Sequence, residues 1–263
     1  MRRSVGVLLA LPLVLAGCGG SSSGDGGAAG SSSSGADDVT GSLTVFAAAS
    51  LTDVFGDLGK DLEKAHPGLE VTFNFAGSQA LAAQITQGAP ADVFASANEA
   101  QMDVVTKAGL QASQPATFTE NVLEIAVPKG NPGRVTGLAD FAKPDLTLAV
   151  CAPDVPCGAA AEQVFAAAGI TAQPDSEEED VKAALTKVQL GEVDAALVYA
   201  TDVQAAGSKV EGITFPEAEK AINTYPITTL EAAPNPRAAQ AFVDLVEGPT
   251  GQHALQAAGF RTP

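Results

Sequence analysis

The sequence predicts an α/β protein with largely parallel sheet. Three observations carry this. From Leu43 onward short apolar runs alternate with segments of helical apolar spacing, the pattern of βαβ units. The junctions between them are short and rich in Ala, Gly and Ser. About 225 residues, from Val39 to Pro263, follow a low-complexity leader, enough for one large sheet or two smaller lobes.

Leu43–Ala47 reads as a buried strand, and Asp53–Lys64 as a helix with Val54, Leu58 and Leu62 on one face. Val71–Phe75 and Gln79–Gln87 repeat the pair, as do Asp92–Ala95 and Met102–Ala108. Val122–Val127 is a strand stopped by Pro128, and Leu146–Val150 another. Ala159–Ala168 is a helix ended by Gly169. Asp180–Gln189 is helical with Gly191 as its C-cap. Ala195–Tyr199 and Tyr225–Leu230 are strands. Asn235-Pro236 supplies an N-cap and a first-turn proline for a helix through Val246.

The leader reads as an address. Arg2 and Arg3 precede an apolar run from Val5 to Ala16, shorter than the roughly 20 residues of a spanning helix. Leu15-Ala16-Gly17-Cys18 resembles a bacterial lipobox, which makes residues 1–17 a signal peptide and Cys18 a lipidated N-terminus. Residues 19–36 are Gly, Ser and Ala apart from Asp25, a flexible tether with a reach of about 25 Å. Residues 18–38 thus form the anchor and tether. No later stretch has the length of apolar chain needed to span a bilayer.

Without Arg2 and Arg3, the 14 basic residues become 12 against 31 acidic ones, a net charge of −19. Such a surface excludes nucleic acid as a partner, since phosphate backbones call for Lys/Arg clusters. With Cys18 lipidated, Cys151 and Cys157 remain as an even pair in an oxidising compartment, and a disulfide between them is expected.

Ligands of open α/β sheets bind beyond strand carboxyl ends, where helix N-termini offer free N–H groups and partial positive charge. Two junctions carry hydroxyls: Ala47-Ala48-Ala49-Ser50-Leu51-Thr52 and Ala76-Gly77-Ser78. Ser50 and Ser78 are candidate ligand contacts, although helix capping accounts for Ser50 or Thr52 equally well. Val155-Pro156-Cys157-Gly158 and Glu179-Asp180-Val181 are further helix starts, and Tyr199 ends a strand. No catalytic residues are expected, because neither His66 nor His253 neighbours a nucleophile motif and no P-loop or zinc-protease pattern occurs. A ferric site would call for several Tyr, His or carboxylate ligands, and Tyr199 and Tyr225 are the two tyrosines.

Taken together, Phe46-Ala47-Ala48-Ala49-Ser50-Leu51, Phe75-Ala76-Gly77-Ser78 and Gln87-Gly88-Ala89-Pro90-Ala91-Asp92-Val93-Phe94-Ala95-Ser96-Ala97 resemble the binding segments of the molybdate-binding receptors of ABC importers. Val155–Gly158, Glu179–Val181 and Val198-Tyr199 follow in that family's order. The resemblance implies a two-lobed periplasmic-binding-protein fold of type II, each lobe a mostly parallel sheet flanked by helices. Lobe 1 would comprise residues 39–120 and 227–263, and lobe 2 residues 121–226. It implies molybdate or tungstate as ligand, no cofactor, a membrane permease as partner and a monomer anchored outside the cytoplasm. Carried over residue by residue, the oxyanion would be held by the hydroxyls of Ser50, Ser78 and Tyr199 and by N–H groups near Cys157 and Val181. The family often has alanine where this chain has Cys157.

Overall fold

The computed structural model describes residues 39–263; the expected signal peptide, Cys18 and the tether lie outside the described residues. Ten strands form two five-stranded sheets. The first contains β1 (Gly41–Ala48), β2 (Leu69–Ala76), β3 (Val93–Ala95), β4 (Ala116–Asn121) and β10 (Asn223–Thr229), in the order β2-β1-β3-β10-β4. The second contains β5 (Leu123–Pro128), β6 (Leu148–Cys151), β7 (Ser176–Glu178), β8 (Ala195–Tyr199) and β9 (Val210–Ile213), in the order β7-β6-β8-β5-β9. In each sheet one strand, β10 or β5, runs against the rest. Each sheet with its helices is a lobe of an α/β fold with two mostly parallel sheets.

The first sheet is covered on both faces, which is why β1 is a continuous apolar run. Val45 and Ala47 pack with Phe55 and Leu58 of α1 (Thr52–Ala65) and Phe242 of α7 (Pro236–Glu247). Phe46, one residue out of step, joins Leu81 and Ile85 of α2 (Ser78–Thr86) and Met102 and Val105 of α3 (Glu99–Lys107). Buried Asp92 ties the lobe together, accepting the Thr44 N–H at 2.7 Å and the Asn235 N–H at 2.6 Å. Helix α8 (Pro249–Ala257) closes the chain's last turn onto this core through Leu255.

The second core gathers Ala160, Val164 and Phe165 of α4 (Pro156–Ala168), Val181, Leu185 and Val188 of α5 (Val181–Leu190), and the strands between them. Helix α6 (Ala200–Ala206) follows β8 directly. The chain passes between the sheets twice. The first crossing is at Val122, between β4 and β5; the second lies between β9 and β10. It re-enters the first sheet at Asn223, ahead of the expected residue 227. Within β10 the register with β4 shifts between Tyr225 and Pro226, where proline has no N–H to donate.

Candidate functional site

The parallel strands of both sheets point their carboxyl ends at one cleft. Beyond β1, β2, β6, β7 and β8 the chain turns into a helix each time, and those turns meet. Ser50, Ser78, Cys157, Val181 and Tyr199 all line one small cavity, along with Ala48, Ala49, Gly77 and Ala97. The cavity and its mouth enclose about 200 Å³, room for one compact solute.

The two serines are placed differently from simple caps. Helix α1 has Leu51 at its N-cap position with no side-chain cap. Thr52 Oγ1 donates to the Ala49 carbonyl at 2.7 Å. Ser50 Oγ lies 3.0 Å from Tyr225 Oη, both buried. If Tyr225 donates, the Ser50 hydrogen remains for the cavity. Ser78 Oγ accepts the Ala97 N–H at 3.0 Å, so its own hydrogen is likewise available. The alternative role, a side-chain cap on the first helix from Ser50 or Thr52, is therefore not the one they play. Loop geometry turns Thr52 back on the chain, and Tyr225, remote in sequence, claims Ser50.

The second lobe contributes backbone. Cys157 and Val181 occupy the first turns of α4 and α5, where N–H groups have no partner within the helix. Cys151 and Cys157 are disulfide-bonded, with Cα atoms 5.7 Å apart, so the end of β6 is tied to the start of α4. Gly158 completes that corner: a Cβ there would collide with the carbonyl oxygens of Cys151 and Ala152. Replacing both cysteines by serine is expected to lower stability by about 2 kcal/mol from loop entropy. Denaturant unfolding measures it, with the unclamped corner at position 157 also raising the dissociation constant of any anion it holds.

Tyr199 is fully buried, and its hydroxyl has no hydrogen-bond partner among the described residues. Burial pushes its pKa well above the ordinary phenol range, so it is a neutral donor at any physiological pH. A buried polar atom left unpaired costs about 1–3 kcal/mol, which marks a place for a ligand acceptor. Asp180 is the one carboxylate on the cavity wall, and its Oδ1 is occupied in accepting the Ala183 N–H at 2.9 Å.

Sequence reasoning missed the polar group behind the cavity. Asp202 is fully buried at the start of α6 and accepts the Tyr199 N–H at 3.2 Å. Burial raises its pKa to about 6, against the opposing pull of Lys182 and of that N–H. Lys182 Nζ lies 3.3 Å from Asp202 and 3.0 Å from Asp53. The first contact is an ion pair without hydrogen-bond alignment. The only early signal was the i, i+3 relation of Tyr199 and Asp202, which any helix start could show.

What this arrangement can do is bind, not react. Hydroxyl and amide donors converge on the cavity, and among the described residues neither serine hydroxyl is hydrogen-bonded to a base. Apart from Asp180, whose Oδ1 is engaged, the wall presents donors, which suits a compact, fully deprotonated oxyanion whose hydration shell it replaces.

Residues 43–261 match the family model described as bacterial extracellular solute-binding protein. Over 222 residues the chain is 45% identical to the molybdate-binding protein ModA of Mycobacterium tuberculosis, covering 84% of this chain and 85% of that one. The molybdate-binding protein ModA of Escherichia coli is 33% identical over 235 residues, covering 84% and 89%. The periplasmic molybdate-binding protein of Azotobacter vinelandii shares the fold, with a TM-score of 0.72 at 22% identity over 84% of this chain and 99% of that one. The relatives are ligand-binding proteins and not enzymes, in accord with the chemistry of the cleft. This chain belongs to the bacterial extracellular solute-binding protein family.

Proposed function

We propose that the protein captures molybdate, and tungstate with it, outside the cytoplasm and delivers it to the membrane permease of an ABC importer. The observation that carries this is the unpartnered Tyr199 hydroxyl, buried in a small cavity beside Ser50 and the free hydroxyl hydrogen of Ser78. The names of the 45% and 33% identical relatives supply the ion.

In this reading Ser50, Ser78 and Tyr199 donate through side chains, and Cys157 and Val181 through backbone N–H groups. Hydrogen bonds to a charged partner contribute roughly 1.5–3 kcal/mol each. Five of them, after association costs, reach a sub-micromolar dissociation constant. A protonated oxyanion would bring a hydrogen to a wall made mostly of donors, so the wall discriminates by protonation state as well as by size. The net charge of −19 slows anion capture at low salt; beyond about 10 Å it is screened at physiological ionic strength. Residues 39–121 with 223–263 form the lobe that carries the serines, and residues 122–222 the lobe that carries the amides and Tyr199. The mature protein acts as a monomer, held to the membrane by lipidated Cys18 through the tether at 19–38.

Calorimetric titration with molybdate, tungstate, sulfate and phosphate tests the reading. Tight one-to-one binding of the first two, with sulfate and phosphate far weaker, is expected. Tight sulfate binding would change the transported ion, and no binding of any of the four would end the receptor reading. Ser50→Ala is expected to weaken molybdate binding by about 10-fold, the lower end for a charge-assisted bond, because the Tyr225 hydroxyl stands behind the vacated place. An unchanged dissociation constant would return Ser50 to a purely structural role.

A further inference from the structure

We propose that Lys182 is the positioning residue that couples an occupied cavity to closed lobes, by bridging Asp202 of the second lobe to Asp53 of the first. The proposal rests on the oxyanion reading of the cleft. Lys182 is the second residue of α5 and follows Val181, whose backbone lines the cavity. Asp53 is the second residue of α1, just beyond Ser50 on the facing lobe. Their side chains meet at 3.0 Å. Lys182, Asp53, Ser50 and Thr201 share the wall of a second cavity, so the ion pair lies directly behind the first serine.

The placement breaks a local rule. A cation in the first turn of a helix opposes the helix dipole, whereas Asp53 in the first turn of α1 complements it. A lysine there needs a tertiary reason, and two are visible. First, Asp202 is a buried carboxylate attached through Tyr199 to the anion wall. Left bare, its charge would repel a dianion, and Lys182 cancels it. Second, the Asp53 contact spans the cleft and exists only while the lobes are together. The other hydrogen bonds near the cleft that join the lobes are single amide ones, among them Gln79 to the Glu179 carbonyl at 2.9 Å, Gln101 to the Asp154 carbonyl at 3.0 Å and Gln204 to the Ala257 carbonyl at 2.8 Å. The charged pair Arg261–Glu219 lies elsewhere, next to the Glu120–Arg261 bridge close to where the chain crosses between sheets.

A double-mutant cycle on the full mature protein tests this, using Asp53→Asn, Lys182→Gln and the double variant. The readouts are the release rate of labelled molybdate in an unlabelled chase and the unfolding temperature of the ligand-free protein. Asp53→Asn is expected to speed release about threefold, the range of a partly exposed ion pair. Lys182→Gln should speed it about tenfold or more, because it also uncovers the buried Asp202. Asp53→Asn should add nothing in the Lys182→Gln background, and Lys182→Arg should stay near wild type. Ligand-free Asp53→Asn should unfold at the wild-type temperature, since the open protein lacks the contact. Independent, multiplying effects of the two substitutions, or an unchanged release rate in Asp53→Asn, would overturn the latch. If Lys182→Gln fails to fold, exposed Asp53 still decides the question alone. A wild-type protein that binds no molybdate would remove the oxyanion reading and the latch together; wild-type binding without coupling would remove only the latch.

Discussion

Gly77→Ala is expected to weaken molybdate binding by at least about 100-fold while leaving the unfolding temperature of the ligand-free protein close to wild type. Gly77 sits between β2 and α2 in the first lobe, at φ −58° and ψ 136°, a conformation open to any residue. Its need for hydrogen is not conformational. A Cβ there would collide with the carbonyl oxygen of Glu179, on the second lobe, and with the side chain of Gln79. The glutamine can swing away; the carbonyl is backbone at the start of α5. The added methyl therefore acts as a wedge between the lobes. A cleft held ajar keeps Ser50 and Ser78 but moves the second lobe's amides and Tyr199 off the ion. Loss of even two of these three bonds, at roughly 1.5–3 kcal/mol each, corresponds to about 10²- to 10⁴-fold. Titration calorimetry of the ion and scanning calorimetry of the free protein separate the two claims. Wild-type affinity would mean that the lobes need not approach as closely as Gly77 and Glu179 do here.

Much of this was legible in the sequence, for physical reasons that differ by element. Leu43–Ala47 announces itself because a strand covered on both faces must be apolar throughout. The helix over 53–64 shows its core face at 3.6-residue spacing, and Gly169 and Gly191 mark helix ends because both adopt the left-handed conformation. By contrast β7 is Ser176-Glu177-Glu178, three residues with no strand preference. It forms because β6 offers it a parallel edge, a fact about tertiary packing alone. The strand β4 and the short helix α6 were passed over for similar reasons, too brief and too polar to stand out. The hydroxyl-bearing junctions could be found by following strand ends into helices. Tyr225 could not: its role depends on a 3.0 Å contact with a residue 175 positions away. Nor could Lys182 and Asp202, since surface-type residues in helix first turns look alike until burial distinguishes them.

Tyr199→Phe should separate binding from folding most cleanly, because its two effects have opposite signs. The phenol oxygen is buried without a partner among the described residues, so the fold gains nothing from it. The ring is what the fold uses, packed edge-on at 6.1 Å from the Tyr225 ring. Phenylalanine keeps the ring and removes the orphan. Ligand-free stability should therefore hold or rise, by up to the 1–3 kcal/mol cost of an unpaired buried polar group in the closed form. Binding should move the other way. One charge-assisted hydrogen bond to the ion is lost, which corresponds to a 10- to 150-fold weaker dissociation constant. The pair of measurements is more telling than either alone. A residue that merely supports the cleft would lose stability and affinity together when trimmed; a ligand donor held in readiness loses affinity only. Were Tyr199→Phe to bind molybdate as tightly as wild type, the unpaired hydroxyl would have no chemical purpose in the cleft. The case for an oxyanion there would then rest on the serines and the helix starts.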